Sequence, residues 1–127
     1  MKKLAAALML LLPVALMAAA AKPNPGDFTL TVHVISSGSG AGTSVMGPYT
    51  TQVLETTIDS QPVQLTCYNI GGVLALGDYK ARLSTAVQAP KKFTNAYDIY
   101  RGYDLLLPDG TARTYAVTRL GPAAANP

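Results

Sequence analysis

Of the side chains able to act on a substrate, the chain holds one histidine, His33, one cysteine, Cys67, and seven carboxylates: Asp27, Glu55, Asp59, Asp78, Asp98, Asp104 and Asp109. A Ser-His-Asp arrangement would use His33 as base, with a serine in reach and a carboxylate behind the ring. Serines stand at 36, 37, 39, 44, 60 and 84, none of them in a G-x-S-x-G elbow. One histidine and one cysteine without close ligand spacing do not make a zinc site. Asp109-Gly110 lacks the upstream ligands of a calcium loop. Gly38-Ser39-Gly40-Ala41-Gly42 is rich enough in glycine to cradle phosphate, but a phosphate loop needs a helix N-terminus after it, and Thr43 to Pro48 reads as no helix. We therefore expect no metal, no cofactor and no catalytic set. A small hydrolase built on His33 and one carboxylate is the competing reading.

The tyrosines carry the more suggestive pattern. Tyr97, Tyr100 and Tyr103 crowd one segment with Arg101 among them, and Tyr115 lies on the segment that follows. An aromatic surface with an arginine can bind a sugar or a protein. The competing reading is cross-strand packing, for which tyrosine is well suited. Tyr97, Tyr100, Arg101 and Tyr103 are the candidate binding residues.

Six segments have the alternation or turn chemistry of strands. Phe28–Val34 alternates strictly, placing Phe28, Leu30, Val32 and Val34 on one side and His33 on the other. Ser36–Ser44 is a flexible loop by composition. Strands follow at 51–58 and 63–68, separated by Asp59-Ser60-Gln61-Pro62, a turn. In the second of these Cys67 shares a face with Val63 and Leu65, which makes it a buried thiol acting as a small hydrophobe. Asn69-Ile70-Gly71-Gly72 breaks the pattern, and 79–83 then alternates apolar and charged residues as a half-exposed strand. A helix over 74–89 competes there, but Gly77, Asp78 and the charge spacing favour a strand. Tyr97–Leu107 and Thr111–Leu120 flank Pro108-Asp109-Gly110, a tight hairpin in which Gly102 can add a bulge. Short strands with turn signals and no convincing helix predict an all-β, antiparallel β-sandwich or small barrel of six to seven strands, the sandwich being preferred.

The N-terminus reads as an address. Lys2 and Lys3 precede an apolar run from Leu4 to Leu16, broken by Pro13, and Ala18–Ala21 supply the small residues of a cleavage site. We expect a signal peptide over 1–21 cut near Ala20 or Ala21, a linker over 22–26, one β-domain over 27–120 and a frayed tail over 121–127. The run is near the lower limit for spanning a bilayer and leads into Pro23 and Pro25, so stable membrane insertion is not expected after cleavage. Without the leader the net charge falls from +3 to +1. The basic pI thus argues for no nucleic-acid partner. About 106 residues remain, enough for one core, with no intramolecular disulfide to staple it.

Leu76-Gly77-Asp78-Tyr79-Lys80-Ala81-Arg82-Leu83, then Tyr97-Asp98-Ile99-Tyr100-Arg101-Gly102-Tyr103, then Asp104-Leu105-Leu106-Leu107-Pro108-Asp109-Gly110-Thr111-Ala112-Arg113-Thr114-Tyr115 resemble, in order and spacing, a group of small secreted bacterial proteins of unknown function. In that group a G-D-Y-x-A-x-L strand precedes a Y-x-L-L-x-P-D-G hairpin. The resemblance spans roughly 51–120 and implies an exported β-domain. It transfers no activity and no functional residue. The expected function is a non-catalytic binding or accessory module, periplasmic or extracellular, with a protein or saccharide partner. The alternatives are the hydrolase and an assembly subunit paired through strand edges.

Overall fold

The computed structural model describes residues 22–89 and 97–122. The expected signal peptide over 1–21 and all but the first two residues of the expected tail lie outside them. Six strands follow a short 3-10 turn over Pro25–Asp27: β1 (Leu30–Ser44), β2 (Gly47–Ile58), β3 (Gln61–Tyr68), β4 (Gly77–Leu83), β5 (Gly102–Leu106) and β6 (Ala112–Leu120). All pairings are antiparallel and belong to one sheet. Their order, β1-β2-β3-β6-β5-β4, returns to β1, so the sheet closes on itself as a barrel. The all-β antiparallel expectation holds.

Alternation builds the interior. In β2 the side chains of Gln52, Leu54, Thr56 and Ile58 point inward, while the residues between them are half-buried. Val32, Val34, Val63, Leu65, Cys67, Ala81, Leu105 and Tyr115 complete a continuous core. Cys67 is buried beside Leu65, as its place in the alternation requires. Burial pushes its thiol pKa above the ordinary value, against a smaller opposing pull from the Arg113 charge.

The turns follow their residues. Asp59 and Ser60 both have positive φ (50° and 63°), which gives the two-residue link between β2 and β3 the twist a hairpin favours. Between β5 and β6, the Gly110 amide donates to the Leu107 carbonyl at 2.9 Å. The Asp109 carboxylate accepts from the Thr111 amide at 2.9 Å and from its hydroxyl at 2.6 Å, and Gly110 takes φ +85°. The Thr111 bonds hold the Asp109 carboxyl below the usual carboxylate range.

Two expectations are corrected. The Gly/Ser run over 36–44 is not a flexible loop: it continues β1, pairing with β2 from Ser36↔Glu55 to Ser44↔Gly47 after a bulge at Ile35. Composition misleads here because side chains on the other strand occupy the space above the glycines. A Cβ at Gly40 would lie 2.6 Å from the Thr51 hydroxyl, and one at Gly42 would lie closer still to Cζ of the Tyr49 ring. The aromatic ring covers the glycine opposite it and restores the packing that glycine cannot supply. The second correction concerns Tyr97–Leu107, where only Gly102–Leu106 is strand. Residues 97–101 leave the sheet, keeping one ladder-like bond from the Val117 amide to the Arg101 carbonyl at 2.9 Å.

β1 pairs with β4 only from Leu30 to Val34, so beyond Ile35 it pairs with β2 alone. The β1–β2 hairpin therefore runs past the barrel as an arm. At its tip Val45 and Met46 are almost wholly exposed. Among the described residues no helix is long and apolar enough to cross a membrane.

Candidate functional site

The four candidate binding residues are not gathered on one surface. Tyr103 turns inward on β5 and is 6% exposed, part of the core. Tyr97, by contrast, is 94% exposed, with Ile99 and Tyr100 exposed after it. Gly102 causes this division. A Cβ there would lie 2.5 Å from the Tyr115 carbonyl and 3.1 Å from the Val87 Cβ, so only glycine lets β5 start this close to β6. Residues on one side of Gly102 join the core, and those before it lie outside the sheet. Arg101 is half-buried, and its Nε is buried without a hydrogen-bond partner among the described residues.

Tyr97, Asp98 and Ile99 form one bank of a shallow groove, with Val117, Arg119 and Leu120 of β6 as the other. Its volume of about 290 Å³ and its open form do not suit a small molecule that must be buried on most sides. They suit a flat contact, such as a sugar face or a protein surface. The Arg119 guanidinium at its rim donates to Glu55 on β2 at 3.0 Å, which fixes the position of the charge.

His33 has a carboxylate partner. β1 and β4 set His33 directly opposite Asp78, and Nδ1 lies 2.5 Å from the Asp78 carboxylate on the exposed outer face. A carboxylate on one ring nitrogen orients an imidazole and leaves the other nitrogen to act as base. Neither side chain is buried (53% and 64% exposed), and among the described residues no hydroxyl is hydrogen-bonded to the ring. Serines 36, 37, 39 and 44 lie farther along β1, in the arm. Of the seven carboxylates considered with His33, Asp78 is the one the barrel brings to it. Among the described residues no group of three or more His, Cys, Asp or Glu side chains gathers as metal ligands would.

Sequence reasoning missed a polar cluster inside the barrel. The buried Gln52 amide oxygen accepts from Arg113 Nη1 at 3.0 Å and from the Tyr115 hydroxyl. Its nitrogen reaches the Gly72 carbonyl at 3.5 Å. Burial raises the Tyr115 pKa, against opposing contributions from Arg113. The connection between β3 and β4 lies across this end of the barrel, where the Gly72 and Leu74 amides donate to the hydroxyls of Ser39 and Ser37 at 3.4 and 2.8 Å. A second network lies lower on the barrel. Burial alone would raise the Asp104 pKa, but bonds from Thr114 (2.7 Å), Arg82 (3.0 Å) and Ser84, with the Arg82 charge, outweigh it and hold the carboxyl below its usual range. The Arg82 guanidinium also lies 4.6 Å over the Phe28 ring. Both networks satisfy groups that the fold buries, and neither opens onto a cavity. The signal for Gln52 was present in the alternation of β2, whereas its partners 61 and 63 residues away were not. Comparison with protein-family models, curated proteins and solved structures returns no match, so the candidate site stands on its own geometry.

Proposed function

We propose that this chain is an exported, non-catalytic binding module whose contact surface is the groove between Tyr97–Ile99 and the Val117–Leu120 end of β6. The observation that carries the reading is the near-complete exposure of Tyr97, with Ile99 and Tyr100 exposed beside it. Apolar surface of this kind costs solubility unless something covers it, and aromatic side chains dominate contact energies where they are covered. The basic start and apolar run of residues 1–17 support export, to the periplasm or the medium. The partner is a protein or saccharide surface of the extracytoplasmic space, since the groove is too shallow for a buried cofactor.

Binding of the mature domain to a panel of cell-envelope saccharides and envelope proteins, read by calorimetry, tests the reading. Tyr97→Ala combined with Tyr100→Ala should weaken the interaction by about 30-fold, the loss expected for an aromatic anchor worth about 2 kcal/mol. His33→Ala should leave it unchanged. Equal binding by wild type and the tyrosine double variant would end the proposal.

The His33–Asp78 pair favours a second reading, a small hydrolase with His33 as base. It requires that an ester or amide substrate panel show turnover by the purified domain and that His33→Ala abolish it.

A further inference from the structure

We propose that the free edge of β1 in the arm, Ser36 to Ser44, is the dimerisation site of this protein, where it pairs antiparallel with the same edge of a second copy. Three observations carry this. First, the edge is unpaired. β4 leaves β1 at Val34↔Gly77, and among the described residues no backbone group outside the β2 ladder bonds to the backbone of residues 36–44, the Gly72 and Leu74 amides reaching the arm through the side-chain hydroxyls of Ser39 and Ser37. In an antiparallel ladder alternate residues turn both N–H and C=O to the far side, so about 30 Å of strand presents a row of donors and acceptors that only another extended strand can match.

Second, the usual guards against such pairing are missing. No Lys, Arg, Asp, Glu or Pro occurs from Ile35 to Ser44, and the bulge at Ile35 lies before the free stretch, not within it. A two-fold axis brings an edge against itself, so any charge near its centre would face its own copy. An uncharged edge is the condition for self-pairing. Third, apolar side chains flank one end of the free edge. Ile35, Val73 and Leu76 are exposed around an open groove beside Ser36 and Ser37. The two-fold that uses the full edge passes through Gly40, and it carries the far end of each strand toward this apolar rim on the other copy. The arm lies at the opposite end of the barrel from the link between β4 and β5. The Tyr97 groove is thus left open, and the dimer does not depend on the binding reading above.

Sedimentation velocity over a wide concentration range at low salt, on the chain from residue 22 onward, tests the inference. Ala41 is exposed, and across a two-fold at Gly40 the two copies of residue 41 are diagonal neighbours, about 7–8 Å apart. The wild type should double its mass as concentration rises. Ala41→Lys and Ala41→Glu should each stay monomeric with unchanged circular dichroism, and an equimolar mixture of the two should recover the dimer. A wild type that stays monomeric at every concentration would overturn the inference, and so would charge variants that dimerise unchanged. A mixture that fails to recover would overturn the two-fold register at Gly40.

Discussion

Gly102→Ala measures how closely β5 and β6 are packed at the point where the tyrosine segment divides. The position takes no left-handed φ, so the backbone itself would accept alanine. What opposes it is space. The new methyl would lie 2.5 Å from the Tyr115 carbonyl oxygen, a backbone atom fixed in the ladder by Tyr103↔Tyr115 and Gly102↔Ala116, and against the Val87 side chain. Val87 can turn aside. The carbonyl cannot move without parting the two strands by several tenths of an ångström. Overpacking of this kind costs about 1–3 kcal/mol. For a domain of this size each kcal/mol lowers Tm by about 4–8 °C. Gly38→Ala is the matched control: a Cβ there meets nothing within 4 Å, and exchanging a strand glycine for alanine gains up to about 1 kcal/mol through chain entropy. Urea unfolding followed by circular dichroism should show a lower midpoint at unchanged slope for Gly102→Ala and an equal or higher one for Gly38→Ala. If Gly102→Ala unfolds within about 0.5 kcal/mol of wild type, the account of why the strand starts at Gly102 is wrong.

Two further outcomes follow from the buried groups. Because Asp104 has a depressed pKa in the fold, its contribution to stability is complete above the unfolded carboxylate value and is lost as pH falls through the folded value. Asp104→Asn should therefore lower stability at pH 7 and flatten the fall in stability below about pH 4, seen as converging Tm values for wild type and variant in acid. Cys67, buried and with a raised pKa, should resist alkylation by iodoacetamide at pH 8 in the native state and react fully in denaturant. Rapid native labelling would show that the barrel opens at this position.

What could be read from the chain was set by local pattern. The strand Thr51–Ile58 announces itself because Gln52, Leu54, Thr56 and Ile58 alternate with half-buried neighbours, and Pro108-Asp109-Gly110 carries its turn in its own dihedral preferences. The arm was not legible. Ser36–Ser44 has no hydrophobic alternation, and its order depends on Tyr49 and Thr51, whose ring and hydroxyl lie over Gly42 and Gly40 only once the two strands are in register. The tyrosine segment failed for a related reason: the spacing of Tyr97, Tyr100 and Tyr103 gives no warning that Gly102 separates an inward residue from outward ones. His33 was singled out as the only histidine, but its partnership with Asp78, 45 residues away, exists only through the β1–β4 register.

Closing a sheet into a barrel removes its edges, and the core accounts for β1 only as far as Val34 and for β2 only from about Gln52 onward. Residues 36 to 51 therefore add little to the interior. Ordering that much chain opposes folding by about 1–2 kcal/mol per residue, and glycines lose the most. The β1–β2 ladder, the ring of Tyr49 over Gly42 and the tilted pair of Tyr49 with Tyr68 offset part of this. A barrel selected for stability alone would have turned sooner, just beyond the Ser39↔Gln52 pair, and kept its last apolar residues inside. The extra length instead carries an uncharged strand edge and an apolar tip, Val45-Met46, away from the body. The arm is thus the part of the fold least explained by folding. Deleting residues 40–51 and joining Ser39 to Gln52 by a two-residue turn separates the two purposes: the monomer should keep its Tm to within a few degrees, since Gln52 and its bonds to Arg113 and Tyr115 remain, and the shortened chain should lose concentration-dependent association.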